Sequence, residues 1–171
     1  VALSNPANLR FDSFESNLVV RWDAAADPDG DLAGYRLYFN GAAEGISLAA
    51  GVLNWDAGGE LQPATGYPVR LTAYDQDGIE SAGTTGLGIT WLWNPTNLVA
   101  SPYSETVDLT WSASAPTQYV KEYRVYASTA PFMQVDGISA VATSKTLAIS
   151  VPSLQNGTAY WFGVAAVNLS G

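Results

Sequence analysis

Cysteine and histidine are both absent from the 171 residues. Without cysteine there is no disulfide and no thiolate metal site, so any core is held by packing alone. Without histidine the commonest general base, the commonest zinc ligand and every Ser-His or Cys-His nucleophile pair are missing. Positive charge is scarce as well: seven Lys and Arg stand against sixteen Asp and Glu, a net charge of −9. Little is left to displace counterions from a phosphate backbone, which argues against nucleic acid as a partner and equally against anionic membrane surfaces. No run of about 18 apolar residues is present, so no helix is encoded that would insert in a membrane. No charged-then-apolar leader precedes Val1, and the expectation is a processed or excised segment.

What is present is a repeat. Hydrophobic residues make up 47% of the chain and aromatic ones 12%, enough for sizeable cores. The stretch Leu61-Gln62-Pro63-Ala64-Thr65-Gly66-Tyr67-Pro68-Val69-Arg70-Leu71 recurs as Leu154-Gln155-Asn156-Gly157-Thr158-Ala159-Tyr160-Trp161-Phe162-Gly163-Val164. In each copy a leucine leads, small and polar residues turn, and a tyrosine opens an alternating apolar run, as in a loop that crosses between sheets and enters a half-buried strand. A buried phenol needs a partner for its hydroxyl, so this tyrosine is predicted to bond back to upstream backbone and pin the corner.

Alternation predicts strands at Pro6 to Phe11, at Leu18 to Trp22 with Trp22 in the core, and at Gly34 to Phe39. Asp23 to Asp31 reads as a loop. Gly41 to Gly51 holds a short edge strand or none, and Val52 to Asp56 reads as a strand carrying Leu53 and Trp55. After the corner, Tyr67, Val69, Leu71 and Ala73 point inward and Pro68, Arg70 and Thr72 outward. Asp77-Gly78 is a turn, and the last strand of this copy runs from about Ser81 to Trp91.

The second copy keeps step. Pro95-Thr96-Asn97-Leu98 repeats Pro6-Ala7-Asn8-Leu9, Val107 to Trp111 repeats Leu18 to Trp22, and Glu122-Tyr123-Arg124-Val125-Tyr126 repeats Gly34 to Tyr38. Strands are further predicted at Leu147 to Val151 and Tyr160 to Val167. A period of roughly 90 residues makes each unit a whole small domain, longer than a solenoid repeat of about 20 to 50. The expected domains are 1–93 and 94–171.

The proline-led edge strand, the Trp closing the second strand, the Tyr-x-Val/Leu-Tyr third strand and the Leu-x-Pro-x-Thr-x-Tyr corner together resemble the fibronectin type III domain, twice over nearly the whole chain. The resemblance implies an all-β fold of two tandem immunoglobulin-like β-sandwiches, each of seven strands, without intrinsic catalysis, serving as spacer, adhesion module or protein-binding surface. Asp75 to Ser81 resembles the loop common in bacterial extracellular members. Asn156 departs from the pattern, where the first copy has Pro63. The larger departure is that no seventh strand follows Val167. Either the sequence is cut from a longer protein, or another chain supplies the strand and the protein is a polymerising subunit.

Asp27, Asp29 and Asp31 alternate around Pro28 and Gly30, a spacing that lets a turning backbone point carboxylates at one hard cation such as calcium. The fold would bring Asp75 and Asp77 to the same end. Residues 1–93 hold twelve acids and four bases, and the remainder four and three, so acidity is confined to the first copy. The other reading is a solvated turn, since aspartate bonds to its own turn backbone. Trp161 is predicted to face outward, and Trp91 and Trp93 sit at the junction. These three would contact polysaccharide or protein, or be covered where domains meet. Asn156-Gly157-Thr158 and Asn168-Leu169-Ser170 match the glycosylation pattern, the first being also explained as a turn. Paired carboxylates are the main catalytic chemistry left, yet no apolar pocket surrounds any of them to raise a pKa.

The function expected is that of a non-catalytic, extracellular or cell-surface spacer or adhesion module of a larger secreted protein. Its partners would be other domains of that protein or neighbouring subunits. The alternatives are an assembly subunit completed by strand donation and a polysaccharide-binding accessory module of a secreted enzyme. No cofactor is expected unless calcium binds.

Overall fold

Period-two alternation yields thirteen strands in the computed structural model, which describes residues 3–171. Among the described residues the one helical element is a single 3-10 turn, Thr117–Tyr119. The chain divides between Trp91 and Leu92 into two units, with Ser170 and Gly171 grouped with the first.

The first unit runs β1 (Ala7–Ser13), β2 (Leu18–Asp23), β3 (Leu32–Phe39), β4 (Ile46–Ala49), β5 (Asn54–Asp56), β6 (Gly66–Asp75) and β7 (Thr84–Ile89). Its sheets have the orders β1-β2-β5 and β4-β3-β6-β7, antiparallel throughout. Leu18, Val20 and Trp22 alternate into the core from one sheet, and Tyr35, Leu37, Val69, Leu71 and Ala73 from the other. Each fully buried leucine contributes about 1.5–3 kcal/mol over an exposed one.

Three details differ from the sequence expectation, and one open alternative is decided. Thr72, expected outward, is 0% exposed, because Glu80 from the following loop lies over it. Leu53 precedes β5 instead of belonging to it, and is exposed. The last strand is shorter than expected, since Ser81 and Gly83 are engaged in the loop that enters it. A short β4 does form, paired with β3 through Gly34↔Ala49 to Leu37↔Ile46. A Cβ at Gly34 would meet the Leu48 carbonyl at 2.2 Å, so only glycine allows that approach.

The second unit runs β8 (Thr96–Tyr103), β9 (Thr106–Ser112), β10 (Val120–Ser128), β11 (Ala142–Ser144), β12 (Ala148–Val151) and β13 (Trp161–Asn168). The sheets are β8-β9-β12 and β11-β10-β13. Among the described residues no strand pairs with the other side of β13. β11 was not foreseen: three residues are too few to show a period.

The two cores repeat in detail. Trp22 meets Tyr35 edge-on at 5.7 Å and 66°, and Trp111 meets Tyr123 at 5.5 Å and 65°, arrangements favoured by the aromatic quadrupole. The Tyr35 hydroxyl accepts the Ala25 N–H at 3.2 Å, and the Tyr123 hydroxyl the Ser114 N–H at 3.3 Å. Asn8 and Asn97 both adopt left-handed backbone (φ 49° and 53°) at irregularities of the first strand pair. Asparagine is among the few residues that tolerate this conformation.

Both corners close as expected. The Tyr67 hydroxyl accepts the Gln62 N–H at 2.8 Å and the Tyr160 hydroxyl the Gln155 N–H at 3.1 Å.

Candidate functional site

The acidic end of the first unit is built by the loop before β3 and the loop after β6. Pairing of Leu32 with Asp75 and the Gln76 N–H donated to the Asp31 carbonyl at 3.0 Å hold the two loops together. The convergence expected of their charges is therefore present: Asp27, Asp29 and Asp75 lie near enough to Asp31 to act on its charge.

The carboxylates have different occupations. Asp27 accepts N–H groups from Gly30 (2.9 Å), Asp31 (3.2 Å) and Leu32 (3.1 Å), folding the loop around itself as aspartate does in turns. These bonds, that from Leu32 foremost, hold its carboxyl below the usual range. Asp75 accepts the Ile79 N–H at 2.7 Å. Asp31 is the contrary case. Its Oδ1 is buried without a hydrogen-bond partner, and desolvation, then the charges of Asp27, Asp75 and Asp29, push its carboxyl up. Asp77 is exposed on the turn beyond. Among the described residues no three carboxylates are gathered in a metal-holding group.

Beside this end is a second acid that sequence reasoning did not single out. Glu80 lies back across β3 and β6: its carboxylate takes the Arg36 guanidinium, the Tyr38 hydroxyl at 2.9 and 3.0 Å, and the Thr72 hydroxyl at 2.7 Å. Arg36 also stacks over Tyr74 at 4.7 Å, and Arg70 over Tyr38 at 5.1 Å. Burial works to raise the Glu80 carboxyl, but the bonds from Thr72, Arg36 and Tyr38 together with the Arg36 charge outweigh it, and the net direction is down. Tyr38 is pushed up by burial and then by Glu80. The only sequence signal was an acid shortly after the Asp77-Gly78 turn. Its partners on β3 are 42 and 44 residues away.

A recess lined by Leu3, Asn5, Asp75, Ile79 and Ser81 adjoins Glu80. Its hydroxyls serve the framework. Ser4 Oγ donates to the Ala26 carbonyl at 3.0 Å and accepts the Ala26 N–H at 2.6 Å, and Ser81 Oγ accepts the Ala73 N–H at 3.1 Å. No imidazole is present to activate either.

Of the three tryptophans, Trp91 in the first unit is 55% exposed and its Nε1 donates to the Ser13 carbonyl at 2.7 Å. Trp93 in the second unit is 55% exposed. Trp161 points outward from β13, 41% exposed. Asn156 accepts the Glu105 N–H at 2.9 Å through its side chain, the act of a turn residue. Asn168 is buried, which closes it to a glycosylating enzyme.

Residues 4–87 match the family model described as "Fibronectin type III domain". Among solved structures, the FN1–FN3 domains of chicken CNTN1 align over 99% of this chain and 62% of that one, at 18% identity and a TM-score of 0.62. A two-domain fibronectin type III segment of chicken tenascin aligns over 96% and 91%, at 22% identity and a TM-score of 0.44. A central fibronectin-III array of RIM-binding protein aligns over 97% and 64%, at 14% and 0.44. This chain thus spans under two thirds of the CNTN1 and RIM-binding segments. No curated protein matches it.

Proposed function

We propose that this chain, whose fold is that of fibronectin type III domains, is a non-catalytic spacer or adhesion segment of a larger extracellular or cell-surface protein of bacterial type. One observation carries the reading: five of the side chains that could do chemistry at or beside the acidic end are spent on the domain's own framework. Asp27 and Asp75 bind their loops, Ser4 and Ser81 bind backbone, and Glu80 binds β3 and β6. What remains for partners is surface, offered to other domains of the same protein.

A second reading is an assembly subunit completed by strand donation. It concerns the edge of β13, which pairs with β10 on one side and, among the described residues, with no strand on the other. Light scattering across a range of concentrations tests the two. A constant monomer mass supports the spacer. A mass that grows with concentration, and falls only on unfolding, removes it in favour of strand exchange.

A further inference from the structure

We propose that the core of the second unit binds an internal water molecule, held between the indole N–H of Trp111 and the hydroxyl of Ser114, beside the phenol of Tyr123.

Buried polar groups of folded proteins are almost always hydrogen-bonded, and an indole N–H taken out of bulk solvent normally finds an acceptor. Among the described residues four buried side-chain atoms have no such partner in the protein: Trp22 Nε1 and Asp31 Oδ1 in the first unit, and Trp111 Nε1 and Ser114 Oγ in the second. Each unit thus leaves one indole donor and one oxygen unsatisfied. The second pair lies deeper. Trp111 is 5% exposed and Ser114 1%, whereas Asp31 is half-buried.

Tyr123 touches both members of the second pair. Its ring meets the indole edge-on at 5.5 Å between centroids, and its hydroxyl accepts the Ser114 N–H at 3.3 Å. Trp111 stands near the end of β9, Ser114 follows three residues later, and Tyr123 enters from β10. The two unsatisfied atoms therefore flank one aromatic side chain where the chain leaves one sheet for the other.

The chemistry of these atoms selects the guest. An indole N–H only donates, while a hydroxyl both donates and accepts. The two do not bond each other, so whatever joins them accepts the indole proton and exchanges a second bond with Ser114 Oγ. The core cluster around them, with Leu109, Tyr123, Val125 and Val151, carries no charge, which favours a neutral guest over an ion. Water meets both conditions. Its oxygen accepts from Trp111 Nε1, one of its protons goes to Ser114 Oγ, and the other is left for the Tyr123 oxygen. Three bonds are the usual complement of a buried water.

The first unit shows what the serine contributes. Ala25 stands in its place, with its N–H on the Tyr35 hydroxyl, and a methyl offers no oxygen. The buried oxygen left over there belongs to Asp31, six residues further on.

Two measurements test the proposal. A crystal structure of the intact chain, at a resolution that shows ordered water, is expected to place an oxygen within about 3 Å of both Trp111 Nε1 and Ser114 Oγ. An indole N–H lying against the face of the Tyr123 ring, with no oxygen beside it, would overturn the proposal in favour of an aromatic hydrogen bond. So would an oxygen bonded to the indole but not to Ser114. In solution, oxygen-17 relaxation dispersion counts water molecules held inside a protein. Ser114→Val replaces the hydroxyl by methyl groups, and the folded variant is expected to hold one internal water fewer than the natural chain. Equal counts would remove Ser114 from the site.

Discussion

The hydroxyl of Tyr67 accepts the N–H of Gln62 at 2.8 Å, and this bond across five residues closes the loop that carries the chain into β6. Tyr67→Phe keeps the ring and removes the acceptor. The expected cost is about 1 kcal/mol, the usual net worth of such a bond, measured by urea unfolding. Tyr160→Phe is expected to cost less, because Tyr160 is only half-buried and its bond to Gln155 is longer and exposed.

The Glu80 clasp gives the first unit a pH dependence of defined sign. The folded-state carboxyl titrates below its ordinary 4.5, so its contribution is complete above that value and is lost as pH falls through the lowered one. Glu80→Gln is expected to reduce stability at pH 7 and to flatten the decline that sets in as pH falls below the ordinary 4.5. Parallel acid-unfolding curves for the natural chain and the variant would remove the clasp from the stability of the unit.

Asp31 has the opposite sign. Its carboxyl is raised in the fold, so its ionisation opposes folding above the raised value and ceases to do so as pH falls. Asp31→Asn is expected to raise the melting temperature at neutral pH. With two of the neighbouring aspartates already bonded to backbone, calcium followed by chelator is expected to leave that temperature unchanged. A rise with calcium that Asp31→Asn abolishes would establish a calcium site at these loops.

Gly88→Ala tests the close packing of β7. The new methyl would lie 2.7 Å from Phe11 and 2.9 Å from Leu18, and overpacking of this kind costs about 1–3 kcal/mol. Phe11→Ala in the same chain is expected to recover part of the loss. Absence of any recovery would show that the ring is not what enforces glycine there.

Contact with polysaccharide through Trp161 is expected to retard the chain in affinity electrophoresis through a soluble polysaccharide gel, an effect Trp161→Ala would abolish. Equal mobility with and without each polysaccharide tested would eliminate this partner.

Residues whose environment follows from strand period were legible in the sequence. Trp22, Trp111, Leu18 and the run from Tyr67 to Leu71 alternate strictly, and the repeated corner announced both tyrosine bonds. Thr72 was misread because period places it outward, while its cover comes from Glu80, a residue beyond the strand that no period can reach. The acidic end was legible as a cluster but not in its division of labour. Which carboxylate accepts N–H groups and which buries an oxygen without a hydrogen bond depends on loop dihedrals, and Asp27, Asp29 and Asp31 look alike in a string of letters.

The matched Trp22–Tyr35 and Trp111–Tyr123 pairs also have an optical consequence. Both indoles are buried in the same edge-on setting, so their fluorescence will be blue-shifted alike and will move together on unfolding. Emission from the six tryptophans therefore cannot say which unit has melted. The outward indoles of Trp91, Trp93 and Trp161 emit further to the red and are open to iodide, so quenching separates surface from interior. Replacing Trp22 or Trp111 by phenylalanine, one at a time, would assign the two melting steps.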